Sequence, residues 1–117
     1  MKCEGCQDLI VTIVKKGWSE EVVQASIRAG AEGGTILLGR GTGIHEKRTI
    51  LGIYIEPEKE IVLTVVHPEQ TEKVLDEIGR AARLDDPGQG IGFVIPLQRV
   101  VGRVHMFLDT EEQTPGS

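Results

Sequence analysis

Two glycine-rich segments carry the residue types best suited to holding a ligand. The first, at 39–43, reads Gly-Arg-Gly-Thr-Gly, and the second, at 85–90, reads Asp-Asp-Pro-Gly-Gln-Gly. Backbone N–H groups of such turns can face outward, and no Cβ blocks the approach of an anion. The pattern predicts a site for a phosphorylated ligand where the two segments meet.

Both segments also have an explanation that involves no ligand. Glycine tolerates the positive φ angles of tight turns, which are common between strands. Neither segment is a Walker-type phosphate loop, because no Gly-Lys-Ser or Gly-Lys-Thr ending is present. The glycines alone leave a binding turn and a purely structural turn open.

Charged side chains that could reach a phosphate follow near the C-terminus. Arg99, Arg103 and His105 share one face of a predicted strand and could supply cations to a ligand held by a neighbouring subunit. A solvated edge strand explains the same three residues equally well. His45 is more simply a solvated loop residue than a metal ligand.

Composition argues against several classes of function. The formal net charge of −5 disfavours a general nucleic-acid or membrane-surface binder, which would show a basic face. No apolar run approaches the ~20 residues of a spanning helix and no signal peptide is recognisable, so we expect a cytoplasmic protein without membrane insertion. We expect no enzyme, because no Ser-His-Asp set, His-Glu-x-x-His motif or pair of carboxylates in an apolar wall is recognisable.

The two cysteines, Cys3 and Cys6, lie together before the first predicted strand. Two thiols cannot fill the four-ligand shell of a structural zinc, and a thioredoxin-like pair would follow a strand instead. An exposed pair without a role is the simplest interpretation. A metal site shared between subunits and a redox-sensing disulfide stay open.

The predicted elements indicate an α+β fold. They are a strand at 9–14, a helix from its N-cap Ser19 to Gly30, a strand at 35–38, a hairpin at 50–66, a helix from Pro68 to Ala82, and strands at 93–97 and 99–108. This order is that of a ferredoxin-like βαββαβ sandwich, with one antiparallel sheet and two helices on one face. The strands are apolar on both faces, so we expect other copies of the chain to cover the second face.

One domain accommodates all 117 residues. We expect residues 1–7 to form an N-terminal extension that contains the cysteine pair. The acidic, turn-rich residues 109–117 are expected to form a disordered tail.

Five short segments, taken in their order and spacing, resemble the P-II signalling proteins. They are Gly33-Gly34-Thr35-Ile36, Gly41-Thr42-Gly43, Lys59 with 61–66, Gly88-Gln89-Gly90, and Phe93-Val94-Ile95-Pro96. The resemblance covers residues 8–104 and is to a divergent branch with a shortened T-loop. It implies a homotrimer of ferredoxin-like subunits, with an adenine nucleotide in each of three clefts between neighbours.

The resemblance also implies which residues bind the nucleotide around the first glycine segment. Thr35 would lie near the adenine. Gly41 and Gly43 would lead into the regulatory T-loop beside the nucleotide, and Lys59 matches a basic residue at the far foot of that loop.

The remaining implied contacts lie in the second glycine segment and the C-terminal part. Gly88, Gln89 and Gly90 match the turn that cradles the phosphates. Arg103 lies between the positions of the family's two C-terminal arginines, which are Gly102 and Val104 here.

The chain departs from the family's pattern at further positions. Ile91 replaces a phosphate-binding lysine, His45 replaces a glutamine, and the shorter T-loop means that Tyr54 is not equivalent to the tyrosine that other members modify. Loss of the lysine removes a charged hydrogen bond worth roughly 1.5–3 kcal/mol. A ligand with less phosphate charge than ATP, such as AMP, ADP or a cyclic nucleotide, would lose less affinity.

These observations predict a regulatory protein. A small effector, an adenine nucleotide that is not tightly bound, would sit in the clefts between subunits and signal through the 41–58 loop to a protein target. The resemblance implies a membrane transporter or a metabolic enzyme as that target. The alternatives are a trimeric interaction module that needs no ligand, and a metal- or redox-responsive protein that uses Cys3 and Cys6.

Overall fold

The structure, a computed structural model, shows two helices and a four-stranded sheet within the residues that it describes. It describes residues 6–41, 48–50, 52–55 and 57–102, with only the backbone described for 48–50 and 53–55. The elements, in chain order, are β1 (Gln7–Lys15), α1 (Ser19–Arg28), β2 (Thr35–Arg40), β3 (Arg48–Ile50), β4 (Ile53–Ile55), β5 (Glu58–Val66), α2 (Thr71–Ala81) and β6 (Gly90–Leu97). The βαββαβ order predicted from the sequence is confirmed, with β3 and β4 as an added hairpin.

The main sheet is antiparallel throughout, in the order β2-β5-β1-β6. Leu38 pairs with Glu60, Glu60 with Val14, and Val14 with Gly90, which forms one row across the sheet. The end of β2, the start of β5, the end of β1 and the start of β6 therefore lie at the same end of the sheet. We call it the loop end, because the segment between β2 and β5 leaves the sheet there.

Both helices pack on one face of this sheet. The alternation of strand side chains places Ile10, Val14, Val62 and Val66 on that face, where they are buried against the helices. The contributing helix residues are also apolar, and they are Val22, Ala25, Val74 and Ile78. The core is aliphatic, as the scarcity of aromatic residues predicts.

The other face of the sheet carries a second apolar layer that neither α1 nor α2 covers. Its residues lie at the alternate strand positions, in the rows Leu9–Val65–Ile95, Val11–Leu63–Phe93 and Ile13–Ile61–Ile91. Phe93 and Ile95 are each about two-fifths exposed in the single chain, at 38% and 43%. We call this layer the open face. It has the apolar character expected of a surface that another copy covers.

Three predicted elements differ from the structure. The hairpin comprises Arg48–Ile50 and Ile53–Ile55, joined through Gly52 at φ +80°, rather than residues 50–66. The strand predicted at 93–97 begins at Gly90, since the glycines pair with β1. Residues 99–102 are not in a strand, and the rest of the strand predicted at 99–108 lies outside the described residues, as does the tail at 109–117.

The ends of α1 show which local signals the fold uses. Gly30, predicted to end the helix, has φ +114°, and the amide of Ala31 donates to the carbonyl of Ser26 at 2.9 Å. Ser19 was predicted as the N-cap, but α1 begins at Ser19 and Trp18 occupies the cap position without a side-chain hydrogen bond. A glutamate from β5 satisfies this helix end instead. Neither helix in the described part of the chain has the length and apolar character needed to cross a membrane.

Candidate functional site

A groove of about 580 Å³ lies at the loop end of the sheet, beside the first glycine segment. The neighbouring strands β2 and β5 and the turn after β1 line it, and the lining residues are Lys16, Leu38, Gly39, Arg40, Glu58, Lys59 and Glu60. Three of these side chains are basic and two are acidic. Leu38, at 79% exposure, adds an apolar surface. The lining suits a ligand that combines an anionic group with an apolar one.

The carboxylate of Glu60 is hydrogen-bonded to the turn that follows β1. Its Oε1 accepts hydrogen bonds from the amides of Gly17 at 3.0 Å and Ser19 at 2.9 Å. Hydrogen bonds from the Ser19 hydroxyl and amide lower the pKa of Glu60 below its ordinary value of 4.5, and the Gly17 amide and Lys16 add to the effect. The carboxylate thus holds the start of α1 and, with it, the backbone on one side of the groove.

Replacing Glu60 by glutamine should make the free energy of unfolding less dependent on pH below about pH 5. Because the folded-state pKa is lowered, ionised Glu60 stabilises the fold at neutral pH, and this contribution disappears as the pH falls through the folded pKa. We expect Glu60→Gln to lower the free energy of unfolding by about 1 kcal/mol at pH 7, and this difference should shrink between about pH 5 and about pH 2. Urea denaturation at fixed protein concentration measures it.

The matched control for this measurement is Glu32→Gln, at an exposed position in the segment between α1 and β2. We expect that variant to change stability by less than about 0.5 kcal/mol. A Glu60→Gln protein as stable as the wild type at pH 7 would show that the two amide hydrogen bonds do not depend on the ionised carboxylate.

Contacts beside the groove join the two ends of the loop at 42–56. We call these ends, residues 40–41 and 57–58, the neck of the loop. The amide of Gly41 donates to the carbonyl of Pro57 at 3.2 Å, and Arg40 pairs with Glu58 in the sheet. An ion pair joins Nζ of Lys16 to Oε2 of Glu58 at 3.1 Å. Arg40 and Glu58 therefore belong both to the groove and to the ends of the loop.

The second glycine segment forms a tight turn in front of β6. The Gln89 amide donates to the Asp86 carbonyl at 3.2 Å, with Pro87 and Gly88 between them, and Gly88 has φ +77°. Proline followed by a glycine at positive φ is the pattern of a type II turn. The Gln89 side chain is buried, and its Nε2 donates to the Ala82 carbonyl at 2.9 Å.

Gly90 lies against β1 more closely than any other residue type would allow. A Cβ at this position would stand 2.4 Å from the carbonyl oxygen of Ile13. The fold itself thus requires Gly90. Since the side chain and amide of Gln89 are also used within the chain, the ligand roles predicted for these two residues stay predictions without support from the described contacts.

The two glycine segments share one end of the sheet but occupy opposite edges of it. Gly41 follows β2 and Gly88 precedes β6, so three strand spacings, about 14 Å, separate them within one chain. Thr35 is exposed and lies at the other end of β2, about 17 Å from Arg40. Of the predicted ligand residues that the structure describes, Lys59 lines the groove, and Gly41 lies directly beside it.

The model of the nitrogen regulatory protein P-II family matches residues 7–104 of the 117-residue chain. The chain belongs to the P-II family. Comparison with curated proteins gives no match. Membership of the P-II family supports a regulatory protein of signal transduction rather than an enzyme.

Several candidate site residues and family positions of this P-II chain lie outside the described part of the structure. They are Gly43, His45, Arg103, Val104 and His105. The side chain of Tyr54 is likewise outside it. The predicted roles of Gly43 and Arg103 in binding therefore stay predictions.

The structure describes one of the two cysteines, Cys6. Cys6 is disulfide-bonded, and its Sγ lies 3.5 Å from the carbonyl oxygen of Gln98, just beyond the end of β6. Cys3 lies outside the described residues. The interpretation of the pair as exposed and without a role therefore stays a prediction.

Sequence reasoning missed Lys16, Arg40, Glu58 and Glu60 as groove residues. A signal for Arg40 was present, because it stands inside the first glycine segment. Lys16 and Glu60 had none, since their closeness depends on the antiparallel register of β1 and β5, in which Val14 pairs with Glu60. Register is a long-range property that spacing along the chain does not encode directly.

Proposed function

We propose that this P-II protein binds an adenine nucleotide in clefts between the subunits of a homotrimer and signals through the 41–58 loop to a protein target. The observation that carries the proposal is the groove at the neck of that loop, which Lys16, Arg40 and Lys59 line. A ligand there would contact the residues that hold the loop. Regulation requires this, because an effector shifts a conformation only by interacting differently with its two states.

Strand directions support a site completed by a neighbouring copy. β2 runs towards the loop end and β6 runs away from it, and each is an edge of the sheet. If the β2 edge of one subunit lay beside the β6 edge of the next, the two strands would be antiparallel. The Gly88 turn of one copy would then approach Gly41 of its neighbour at a shared cleft. The open face would turn inward and be covered.

The groove favours a nucleotide with little phosphate charge. Ile91, which replaces the family's phosphate-binding lysine, is 57% exposed beside the second glycine turn and offers an apolar surface where that cation would stand. The remaining basic lining is balanced by Glu58 and Glu60. We expect AMP and ADP to bind at least as tightly as ATP.

Calorimetric titration of the full chain with AMP, ADP, ATP and adenosine tests the proposal. We expect the phosphorylated ligands to bind more tightly than adenosine, with ATP no tighter than ADP. As a second readout, a ligand at 100 times its dissociation constant should add about 2.7 kcal/mol of stability. A submicromolar dissociation constant for ATP, far below that for AMP, would contradict the expected ranking. Absence of binding by all four would contradict the nucleotide site.

A second candidate function is a trimeric interaction module that needs no ligand. It is favoured by the second glycine turn, where the fold accounts for Gln89 and Gly90 without an anion. In that case the loop would dock on its target in one conformation. The same titration separates the two functions, since the interaction module binds none of the four compounds. A redox-responsive role for Cys3 and Cys6 is independent of this choice.

A further inference from the structure

We propose that Lys16 and Glu58 form a latch between the groove and the loop, in which Lys16 exchanges Glu58 for a phosphate of the bound nucleotide. The inference rests on the proposed nucleotide site. It adds a phosphate-binding residue, Lys16, and a residue that couples binding to the loop, Glu58. Their ion pair, at 3.1 Å, borders the groove that both side chains line.

Lys16 is placed to meet an anion that enters the groove. It follows the last residue of β1, and its side chain is 70% exposed, so the ammonium group can turn without unfolding any element. The two acidic groups in the lining differ in this respect. Glu60 accepts hydrogen bonds from the backbone after β1, whereas Glu58 pairs with the lysine side chain itself. A ligand anion therefore competes with Glu58 for Lys16.

The exchange favours the ligand because the ion pair is weak. Exposed pairs contribute little, and the Glu58 side chain is 61% exposed. A phosphate offers more negative charge and three acceptor oxygens to the same ammonium group. Lys16 would thus supply, from the turn after β1, part of the charge that the chain lacks at Ile91.

The exchange also acts on the loop. Glu58 is the first residue of β5, and its neighbour Pro57 accepts the hydrogen bond from Gly41 that closes the neck. Once a phosphate occupies Lys16, the Glu58 carboxylate faces a like charge a few ångströms away and is repelled. Pro57, which accepts the neck hydrogen bond from Gly41, is the residue next to the repelled Glu58. By linkage, a loop state that moves Glu58 away from Lys16 would bind the nucleotide more tightly.

Two substitutions with opposite expected effects test the latch by calorimetric titration with ATP and adenosine. Lys16→Gln removes the phosphate contact and should weaken ATP binding about tenfold. Glu58→Gln removes the competitor and should strengthen ATP binding about two- to fivefold. Neither should change the affinity for adenosine by more than about twofold, because adenosine has no phosphate.

Matched controls come from the first turn of α2. Glu72→Gln and Lys73→Gln make the same changes of charge at exposed positions next to Thr71, whose hydroxyl contacts Asp8 at the other end of β1. We expect both controls to bind ATP as the wild type does. Equal shifts in the controls and in the groove variants would reduce the effect to net charge and overturn the latch.

Hydrogen exchange of the Gly41 amide reports on the neck. In the wild type, ATP should speed this exchange, because the Gly41–Pro57 hydrogen bond is disturbed. In Glu58→Gln, ATP should bind without changing it. If the wild type binds ATP but Lys16→Gln and Glu58→Gln bind it equally well, the latch is wrong and the site stands. If the wild type binds no nucleotide, the proposed function fails and the latch fails with it.

Discussion

Replacing Gly90 by alanine should destabilise the protein by about 3 kcal/mol or more. The new Cβ would lie 2.4 Å from the carbonyl oxygen of Ile13, 3.1 Å from Cγ1 of Val14 and 3.2 Å from Cδ2 of Leu84. The first of these contacts is with backbone, which cannot turn aside as the end of a side chain can. The backbone conformation, φ +155°, adds strain for any residue with a Cβ.

The size of this effect follows from where Gly90 lies. It pairs with Val14 at the start of β6, so relieving the clash means moving β6 away from β1. Since small domains are stable by only about 5–15 kcal/mol, such a loss would remove a large part of the total. Urea denaturation at fixed protein concentration measures the change.

Gly92→Ala is the matched control, two residues along the same strand and on the same face. A Cβ there would meet Cδ1 of Leu84 at 3.4 Å and Cδ1 of Leu75 at 3.5 Å, which are ordinary contacts with flexible side-chain ends. We expect a change of less than about 1 kcal/mol. A Gly90→Ala protein as stable as Gly92→Ala would show that β6 can shift away from β1 at little cost.

The position of Gly90 also shows how a glycine motif is to be interpreted. From the sequence, Gly88-Gln89-Gly90 is compatible with a phosphate cradle and with a structural turn. The contacts explain Gly88 through its φ, Gln89 through its bond to Ala82, and Gly90 through β1. The turn would exist without a ligand, so its residue types alone are no evidence for binding.

The sequence predicted the fold well because its local signals agree with the tertiary structure. The apolar runs in β1 and β5, the glycine stop at Gly30 and the helical spacing of Val74 and Ile78 each indicate the element that forms. The hairpin predicted at 50–66 was wrong, because Ile53–Ile55 pairs with Arg48–Ile50 whereas β5 pairs with β1 and β2. The chain reverses at Gly52, where φ is +80°.

The groove was harder to predict because it depends on contacts between distant strands. Glu60 lies 41 residues after Ser19 but accepts the hydrogen bond that the N-terminus of α1 needs. From the sequence, Ser19 is the natural cap and Glu60 an ordinary surface residue. Lys16 and Glu58 are likewise brought together only by the pairing of β1 with β5. Such sites follow from register, which local patterns specify only indirectly.

Replacing Ile95 by lysine should dissociate the proposed homotrimer without unfolding the subunit. Ile95 lies on the open face. Its neighbour in β6, Val94, lies on the other face of the sheet and packs against the core. In a single chain Ile95 is 43% exposed, so a lysine there can extend into water. In a trimer whose open faces turn inward, the same ammonium group would be buried without a partner, at a cost of several kcal/mol for each subunit.

Ile27→Lys is the matched control for this prediction. Ile27 is 44% exposed and lies on α1, in the helical layer that covers the opposite side of the sheet. The two variants therefore change the same residue type, charge and exposed fraction on the two sides of the subunit. Sedimentation velocity should give trimers for the wild type and Ile27→Lys and monomers for Ile95→Lys, with unchanged circular dichroism.

Three outcomes of the sedimentation experiment separate the possibilities. A trimeric Ile95→Lys protein would place the contact between subunits elsewhere than the open face. Dissociation of both variants would point to a general effect of added charge. A monomeric wild type would leave the open face uncovered and remove the cleft where Gly41 and the Gly88 turn of a neighbour meet. Since the nucleotide site is proposed to lie in that cleft, the assembly state decides whether a complete site can form.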